Sequence, residues 1–202
     1  MEKMIRKIKV GITGSIGSGK STFSNFIADK GYPVIKVDEL SKQLLVEDKK
    51  LKDKIIKEFG EESYTGNKVN RKYLADKVFS KPDNVDLINS IVHPVVIKKT
   101  ESDIEKLLET NDLVFAEAAL IYEADMEKIF DYIVLVTADE KIRMNRKIKY
   151  DNYTEEQFLK RNENQIPDEE KKKRADFVFE NNGNINELKI KTDLFINILK
   201  GL

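Results

Sequence analysis

Cysteine is absent from this chain of 202 residues, and histidine occurs once. Without thiols there is no disulfide, no cysteine-bound metal and no cysteine nucleophile. Net charge is also absent, because 36 Lys and Arg residues balance 36 Asp and Glu residues. No overall field therefore favours nucleic acid or an anionic membrane. We expect neither of them as a partner.

Long apolar runs are missing as well. The longest have about the length of a strand, far short of a membrane span. Residues 1–10 are charged and contain no apolar signal core. A chain of this length with 40% hydrophobic residues is enough for one α/β domain with insertions. The sequence predicts a soluble, cytoplasmic protein, and no repeat or apolar stripe indicates an obligatory protein partner.

One motif is present in a specific context. Gly14–Ser21 matches G-x-x-x-x-G-K-[ST], the phosphate-binding Walker A pattern. A strand-like run, Ile8–Thr13, precedes the motif, and a helix-like run, Lys20–Lys30, follows it. Strand, glycine-rich loop and helix are the context that the motif requires. The chain is therefore predicted to bind a nucleoside triphosphate.

Each position of the motif has a predicted task. The loop amides point inward and form an anion-binding nest, to which the following helix adds the positive end of its dipole. Lys20 is predicted to contact the β- and γ-phosphates, and the Ser21 hydroxyl to bind Mg²⁺. The predicted nucleotide-binding residues of the motif and its flank are Gly14, Gly17, Ser18, Gly19, Lys20, Ser21 and Thr22.

Five strand-like runs alternate with helical stretches. They are Ile8–Thr13, Val34–Val37, Leu113–Ala116, Tyr132–Val136 and Phe177–Phe179. The third and fourth are nearly continuous apolar segments, which is typical of strands buried on both faces of a parallel sheet. We predict an α/β fold, a doubly wound parallel sheet of about five strands of the P-loop NTPase type. Ligands of such a sheet bind beyond the carboxyl ends of its strands.

Two intervals are too long for simple crossovers. We predict a helical acceptor-binding insertion at residues 38–110 and a helical lid at residues 141–174. The core domain then comprises residues 1–37, 111–140 and 175–202. Small phosphotransferases share this plan, in which one insertion holds the acceptor and the other closes over ATP and excludes water. The lid begins with a basic stretch, Lys141–Lys149, which either faces solvent or meets the phosphates.

Local signals predict three helices in the last third of the chain. Thr154 to Gln157 form a capping box. Pro167 precedes three acidic and then four basic residues, an order that matches the helix dipole at both ends. Near the C-terminus, a helix that packs on the sheet is predicted from Leu188, Phe195 and Leu199, flanked by Leu194 and Ile198.

Missing motifs narrow the enzyme class. No Asp is followed three residues later by Gly, and Asn67-Lys68 lacks the Asp of an N-K-x-D motif, so a GTPase switch is disfavoured. Leu113–Glu117 ends in one carboxylate, whereas motor-like ATPases usually have an acidic pair there. A small kinase fits these absences best. Glu117 itself either organises Mg²⁺ through water or faces solvent.

Asp38 is the predicted catalytic carboxylate. It follows the second strand-like run, whose end lies beside the phosphate loop in a doubly wound sheet. A carboxylate there can accept the proton of an acceptor hydroxyl that attacks the γ-phosphate. The same residue can also cap the helix that follows.

An ordered series of segments resembles the dephospho-CoA kinase family. It comprises Ile12–Thr22, Gly31–Asp38, Asn70–Leu74 with Val78-Phe79, His93-Pro94, Leu120–Glu123, Arg161 with Gln165, Arg174–Asp176 and Asn181–Gly183. The series covers about residues 8–183. The phosphate loop alone is unspecific, whereas the ordered series is much more specific.

The resemblance implies ATP-dependent phosphorylation of the ribose 3′-hydroxyl of dephospho-CoA, with Mg²⁺ as the metal and CoA and ADP as products, the last step of CoA biosynthesis. It implies that Asp38 is the base and that Arg71 and His93 lie at the acceptor site. It also implies that Arg146 reaches the phosphates of ATP from the lid. Asn181 falls on a segment near the adenine.

Three positions depart from the family pattern. Lys36 stands where the family often has the first acid of Asp-Ala-Asp, Ala119 replaces a common proline, and Tyr150 replaces a lid arginine. Two other functions fit the same residues. One is a kinase for a nucleoside, a nucleoside monophosphate or another small hydroxyl metabolite, and the other is an ATP-dependent regulatory or binding module.

Overall fold

The computed structural model describes residues 6–202. In this range the strands are β1 (Ile8–Thr13), β2 (Val34–Lys36), β3 (Tyr64–Thr65), β4 (Lys68–Val69), β5 (Leu113–Glu117), β6 (Tyr132–Thr137) and β7 (Phe177–Glu180). The helices are α1 (Lys20–Ala28), α2 (Val37–Glu47), α3 (Lys49–Phe59), α4 (Arg71–Val78), α5 (Pro82–Leu108), α6 (Glu140–Asp151), α7 (Glu155–Glu163), α8 (Asp168–Arg174) and α9 (Ile185–Gly201). The first half of the segment predicted to lack a signal core, residues 1–5, lies outside the described residues.

Five parallel strands form the main sheet, in the order β2-β5-β1-β6-β7. β1 lies at its centre and pairs with β5, where Ile8 faces Leu113, and with β6, where Val10 faces Tyr132. Parallel neighbours need crossover connections, and the helices supply them. The predicted doubly wound α/β fold is confirmed, and the five predicted strands end within one residue of the observed bounds.

The core of this sheet is built around Phe195 of α9, which is fully buried. Its ring centroid lies 5.2 Å from that of Phe177, 5.5 Å from Phe179 and 5.8 Å from Phe23. Offset and edge-to-face contacts of this kind add to the free energy gained from burying each ring. They fix α1 and α9 against β7, and the phosphate loop precedes α1 directly.

The exposed side of α9 differs from the prediction. Leu194 and Ile198 are 55% and 38% exposed, whereas Thr192 and Ile196 are buried. The buried Thr192 hydroxyl donates to the Leu188 carbonyl at 2.8 Å, which satisfies its polar group within the helix. A polar residue therefore lies inside the apolar stripe, and the predicted flanks of the stripe were wrong.

The chain divides into two compact units. The first comprises the described residues up to Lys36 together with Ile104–Leu202, and the second comprises Val37–Asp103. The predicted lid segment thus belongs to the same unit as the sheet, and its role as a lid stays a prediction. Within residues 6–202 no helix combines the length and the apolar character needed to cross a membrane.

The second unit has a core of its own. Leu51, Ile55 and Phe59 on α3 are buried together with Tyr64 and Val78. The strands β3 and β4 form a two-stranded antiparallel hairpin around the turn at residues 66–67. α5 continues through the His93-Pro94 pair, so this pair does not break the helix.

Candidate active site

The phosphate loop links β1 to α1 and depends on two glycines in a conformation that other residues rarely adopt. Gly17 and Gly19 have φ angles of 79° and 96°, in the left-handed region. A Cβ on Gly17 would lie 2.5 Å from the Arg143 carbonyl oxygen, and a Cβ on Gly19 would lie 2.3 Å from the Asn181 amide nitrogen. Conformation and space therefore both require glycine at these positions.

Glu117, at the carboxyl end of β5, is the centre of a polar cluster beside this loop. Its Oε1 accepts a hydrogen bond from the Ser21 hydroxyl at 2.8 Å and lies 3.4 Å from Lys20 Nζ. Its Oε2 lies 3.0 Å from Lys36 Nζ, at the end of β2. The carboxylate is thus buried rather than facing solvent, and it joins the lysine and the serine of the motif in one site.

The charge on Glu117 follows from its partners. Burial alone raises the pKa of this carboxyl, but Lys20, Lys36 and the Ser21 hydroxyl together lower the pKa below the ordinary value of 4.5. Glu117 is therefore ionised at neutral pH. The pKa of Glu117 is lower in the folded than in the unfolded chain. Ionised Glu117 therefore stabilises the fold at a pH above the ordinary pKa, and this stabilisation is lost as the pH falls through the lowered pKa.

Replacing Lys36 by methionine tests this balance. We expect the free energy of unfolding at pH 7 to fall by about 1–3 kcal/mol, because a buried carboxylate loses one of its two cations. The deficit should shrink below about pH 4.5, where protonated Glu117 no longer needs a cation. Urea denaturation at several pH values measures it.

The matched control for that variant is Lys30→Met, which removes a lysine paired with Asp193 at the surface. Such an exposed pair is worth less than about 1 kcal/mol. Equal losses in the two variants at pH 7, or a Lys36→Met deficit that does not change with pH, would contradict the role assigned to Lys36.

Residues of the loop line a cavity of about 760 Å³, a size typical of ligand sites. The predicted nucleotide-binding residues that line it are Gly17, Ser18, Gly19, Lys20, Ser21, Thr22, Arg146 and Asn181. Gly14, at the start of the loop, is not among the lining residues. Six of these residues are consecutive in the sequence, and the fold brings the two distant residues, Arg146 and Asn181, to the same cavity.

Arg146 and Asn181 are held against the loop by hydrogen bonds. Arg146 Nη2 donates to the Asn181 carbonyl oxygen at 2.8 Å, and Asn181 Nδ2 donates to the Ser18 carbonyl oxygen at 2.8 Å. Arg146 Nη1 is buried and has no hydrogen-bond partner among the described residues. A buried unpaired donor is costly unless a ligand satisfies it. This donor therefore suits an anionic group in the cavity.

Three residues outside the motif fix the variable part of the loop. Arg143 Nη1 donates to the Ile16 carbonyl oxygen at 3.2 Å, and the Ile16 amide donates to Gln165 Oε1 at 2.8 Å. The Ser15 hydroxyl donates to Asp168 Oδ1. We call Arg143, Gln165 and Asp168 the loop brace.

The brace contains a charged pair, and its arginine is buried. Arg143 is only 5% exposed, so the sequence prediction that its basic stretch faces solvent or phosphate is wrong at this residue. Its Nε lies 3.9 Å from Asp168 Oδ2, which also accepts a hydrogen bond from the Thr137 hydroxyl. The brace therefore holds the loop in place before any ligand contact, which is what an anion site formed by backbone amides requires.

The remaining predicted site residues belong to the second unit. Asp38 is exposed in the first turn of α2, Arg71 is exposed at the start of α4, and His93 is half-buried within α5. The Asp38 side chain has no hydrogen bond or ion pair within residues 6–202. Its predicted role as a base, and the roles of Arg71 and His93, stay predictions.

Known proteins share this architecture. A model of the dephospho-CoA kinase family matches residues 8–187. The chain is 36% identical over 200 residues to the dephospho-CoA kinase of Chlamydia caviae, which covers 98% of this chain and 99% of that relative. The crystal structure of TT1252 from Thermus thermophilus superposes with a TM-score of 0.81 at 31% identity, over 96% of this chain and 98% of that one.

A more distant structure shares the fold alone. The shikimate kinase of Acinetobacter baumannii has a TM-score of 0.58 at 14% identity, over 96% of this chain and 93% of that one. The family match, in contrast, includes the phosphate loop, Glu117, the loop brace and the predicted acceptor-site residues. This chain therefore belongs to the dephospho-CoA kinase family, a family of phosphotransferases.

Proposed function

We propose that the protein transfers the γ-phosphoryl group of ATP to the ribose 3′-hydroxyl of dephospho-CoA. The observation that carries the proposal is the convergence of Lys20 and Ser21 on the buried Glu117, beside a cavity of about 760 Å³. Membership of the dephospho-CoA kinase family supports the choice of acceptor.

The phosphates of ATP are assigned to the loop. Its amides and the amino end of α1 attract the anionic oxygens. Lys20 contributes a full positive charge, and Arg146, which lines the same cavity, contributes its unpaired Nη1. These groups stabilise the charge that develops on the transferring phosphoryl group.

The metal is proposed to be Mg²⁺. The Ser21 hydroxyl and the Glu117 carboxylate lie 2.8 Å apart and offer the hard oxygen ligands that Mg²⁺ prefers, directly or through water. When bound, Mg²⁺ neutralises charge on the β- and γ-phosphates. Lys36 keeps part of the Glu117 charge balanced at this site, since it pairs with the oxygen that does not contact Ser21.

The acceptor chemistry is assigned to Asp38. Its unpaired carboxylate takes the proton of the 3′-hydroxyl while the bond from the 3′-oxygen to the γ-phosphorus forms. The bond from that phosphorus to the β–γ bridging oxygen breaks, and ADP carries the electron pair away. Arg71 and His93 are proposed to bind the acceptor, and Asn181 lies on the segment proposed to be near the adenine.

Acceptor-dependent ADP release tests the proposed function. Dephospho-CoA should accelerate ADP formation far more than nucleosides or nucleoside monophosphates, and the product should carry its new phosphate on the 3′-oxygen. If another hydroxyl metabolite reacts faster than dephospho-CoA, that metabolite is the acceptor and the proposed acceptor is wrong. If no acceptor accelerates ADP formation but nucleotide changes the affinity for a protein partner, the regulatory alternative holds. Action in the cytoplasm stays a prediction from the sequence.

The loop brace gives a prediction about ATP binding. Asp168→Asn removes a charge and one of two acceptor oxygens for the Ser15 and Thr137 hydroxyls. We expect KM for ATP to rise about tenfold and the free energy of unfolding to fall by about 1–3 kcal/mol. KM for dephospho-CoA should change much less, which steady-state kinetics can resolve.

The control for that variant is Glu169→Gln on the same helix turn. Glu169 pairs with Lys172, and its side chain is 80% exposed, so this variant should behave like the wild type. An Asp168→Asn enzyme with unchanged KM for ATP would show that the brace does not position the loop for the nucleotide.

A further inference from the structure

Glu123 ends the segment that follows β5, and no step of the proposed reaction uses its carboxylate. The two residues before it, Ile121 and Tyr122, are 0% and 3% exposed. At the start of the segment the Ala118 amide donates a hydrogen bond to the Ile12 carbonyl oxygen of β1 at 3.0 Å. Burial and this hydrogen bond fix the segment, so Glu123 is a firm point of attachment within the first unit.

The Glu123 carboxylate contacts two points of the chain that leads into α8. Its Oε1 accepts a hydrogen bond from the Ile166 amide at 2.9 Å, and the same oxygen lies 2.9 Å from Lys171 Nζ. Lys171 is fully buried, and this is its one ion pair within residues 6–202. Removing either partner of such a pair leaves an uncompensated charge, so the contact is much harder to break than an ion pair at the surface.

Two of the three brace residues lie beside these two points. Gln165 directly precedes the bound amide, and Asp168 stands one helical turn before the buried lysine. Gln165 accepts a hydrogen bond from the Ile16 amide at 2.8 Å, and Asp168 accepts one from the Ser15 hydroxyl. Both of these contacts with the phosphate loop are therefore made by a stretch of chain that one carboxylate holds at two places.

We infer that Glu123 and Lys171 are positioning residues for the phosphate loop. Neither lines the nucleotide cavity, so both act through Gln165 and Asp168. The pair fixes the distance between the brace and the loop before ATP binds, and a site made of backbone amides depends on such preorganisation. This inference rests on the proposed function, since it takes the loop to be the ATP site.

Three variants and two controls test the pair. Lys171→Met and Glu123→Gln each keep most of the side-chain size and leave one charge of the pair without its partner. The double variant removes both charges, so it should regain most of the stability that the single variants lose. Glu170→Gln and Lys173→Met are the controls, because both residues lie on α8 and are exposed. Thermal unfolding measures the stability of each variant.

We expect the single variants to bind a non-hydrolysable ATP analogue about five- to tenfold more weakly, and the double variant to stay about fivefold weaker despite its recovered stability. Without the pair, the end of α8 that carries Asp168 is no longer fixed. At saturating ATP the nucleotide orders the loop, so kcat and KM for dephospho-CoA should change little. Calorimetric titration and steady-state kinetics measure these effects, and the controls should match the wild type.

Hydrogen exchange gives a second measurement that needs no nucleotide. The Ile16 amide should exchange several-fold faster in all three variants than in the wild type, because its acceptor Gln165 is less firmly held. NMR detection resolves this single amide. The two controls should leave its exchange rate unchanged.

A pair that serves stability alone would give another pattern. If the double variant recovers both stability and affinity for the analogue, or if Ile16 exchanges at the wild-type rate in all three variants, the inference is wrong. The double variant decides the question even where a single variant does not fold. A wild type that binds no ATP analogue would overturn the proposed function, whereas a wild type and variants that bind it equally well would overturn the positioning role alone.

Discussion

Replacing Lys20 by alanine is expected to lower kcat about 10³-fold or more and to weaken ATP binding at least tenfold. Lys20 begins α1, lines the nucleotide cavity and carries a charge that no other loop residue supplies. Its loss removes electrostatic stabilisation that is largest when charge develops on the transferring group. Stopped-flow and steady-state kinetics measure the two effects separately.

Folding of the Lys20 variant should survive, because Glu117 keeps Lys36 and the Ser21 hydroxyl as partners. Lys20→Met, which keeps most of the length without the charge, should lose as much activity as Lys20→Ala. Lys30→Ala, two residues beyond the end of α1, should be nearly normal. Activity within a few-fold of the wild type in Lys20→Ala would remove the phosphate-loop basis of the proposed function.

Replacing Asp38 by asparagine is expected to lower kcat about 10²- to 10⁴-fold, the usual contribution of a general base. The amide keeps the size of the side chain but cannot take the proton of the acceptor hydroxyl. ATP binding should be retained, because the nucleotide is assigned to the loop and to Arg146. The expected signature is a large fall in kcat with an unchanged Kd for ATP.

Glu39→Gln is the matched control for that substitution. Glu39 is the next residue of α2, is exposed and lies in the same first turn. It should be close to the wild type in kcat. If Asp38→Asn turns over at a near-normal rate, or if Glu39→Gln loses as much activity, Asp38 is not the base.

Much of the fold could be predicted because its signals lie within short segments of the sequence. The strands β1, β5 and β6 are short apolar runs with clear boundaries, and the phosphate loop requires its glycines at fixed spacing. The capping box at Thr154 is present as predicted, with both reciprocal hydrogen bonds. Such signals act over a few residues, so they can be recognised without tertiary contacts.

The loop brace could not be predicted because its partners are distant in sequence. Asp168 and Lys171 fit the expected charge order of a short helix, acid first and base last. In the structure Asp168 accepts a hydrogen bond from the Ser15 hydroxyl, and the fully buried Lys171 lies 2.9 Å from Glu123. The order of charges along α8 is also what a fully solvated helix would have. It does not reveal which side of the helix is covered, so the contacts of Asp168 and Lys171 could not be predicted from it.

Glu117 and Lys36 show the same limit at the site itself. From the sequence, Glu117 could equally face solvent, and Lys36 was only a departure from the pattern of the dephospho-CoA kinase family. The pairing of β2 with β5 brings Lys36 opposite Glu117. The lysine provides the buried carboxylate with a counter-charge, and the carboxylate accounts for a lysine at this position. A substitution that reverses charge is tolerated here because its neighbour is a carboxylate.

A crystal structure with a non-hydrolysable ATP analogue and dephospho-CoA tests the central claim most directly. The account predicts the triphosphate on the Gly14–Ser21 loop and the Asp38 carboxylate about 3 Å from the ribose 3′-oxygen, which lies in line with the γ-phosphate. A 3′-oxygen beyond reach of Asp38 through a hydrogen bond or one bridging water, or next to a different carboxylate, would contradict it.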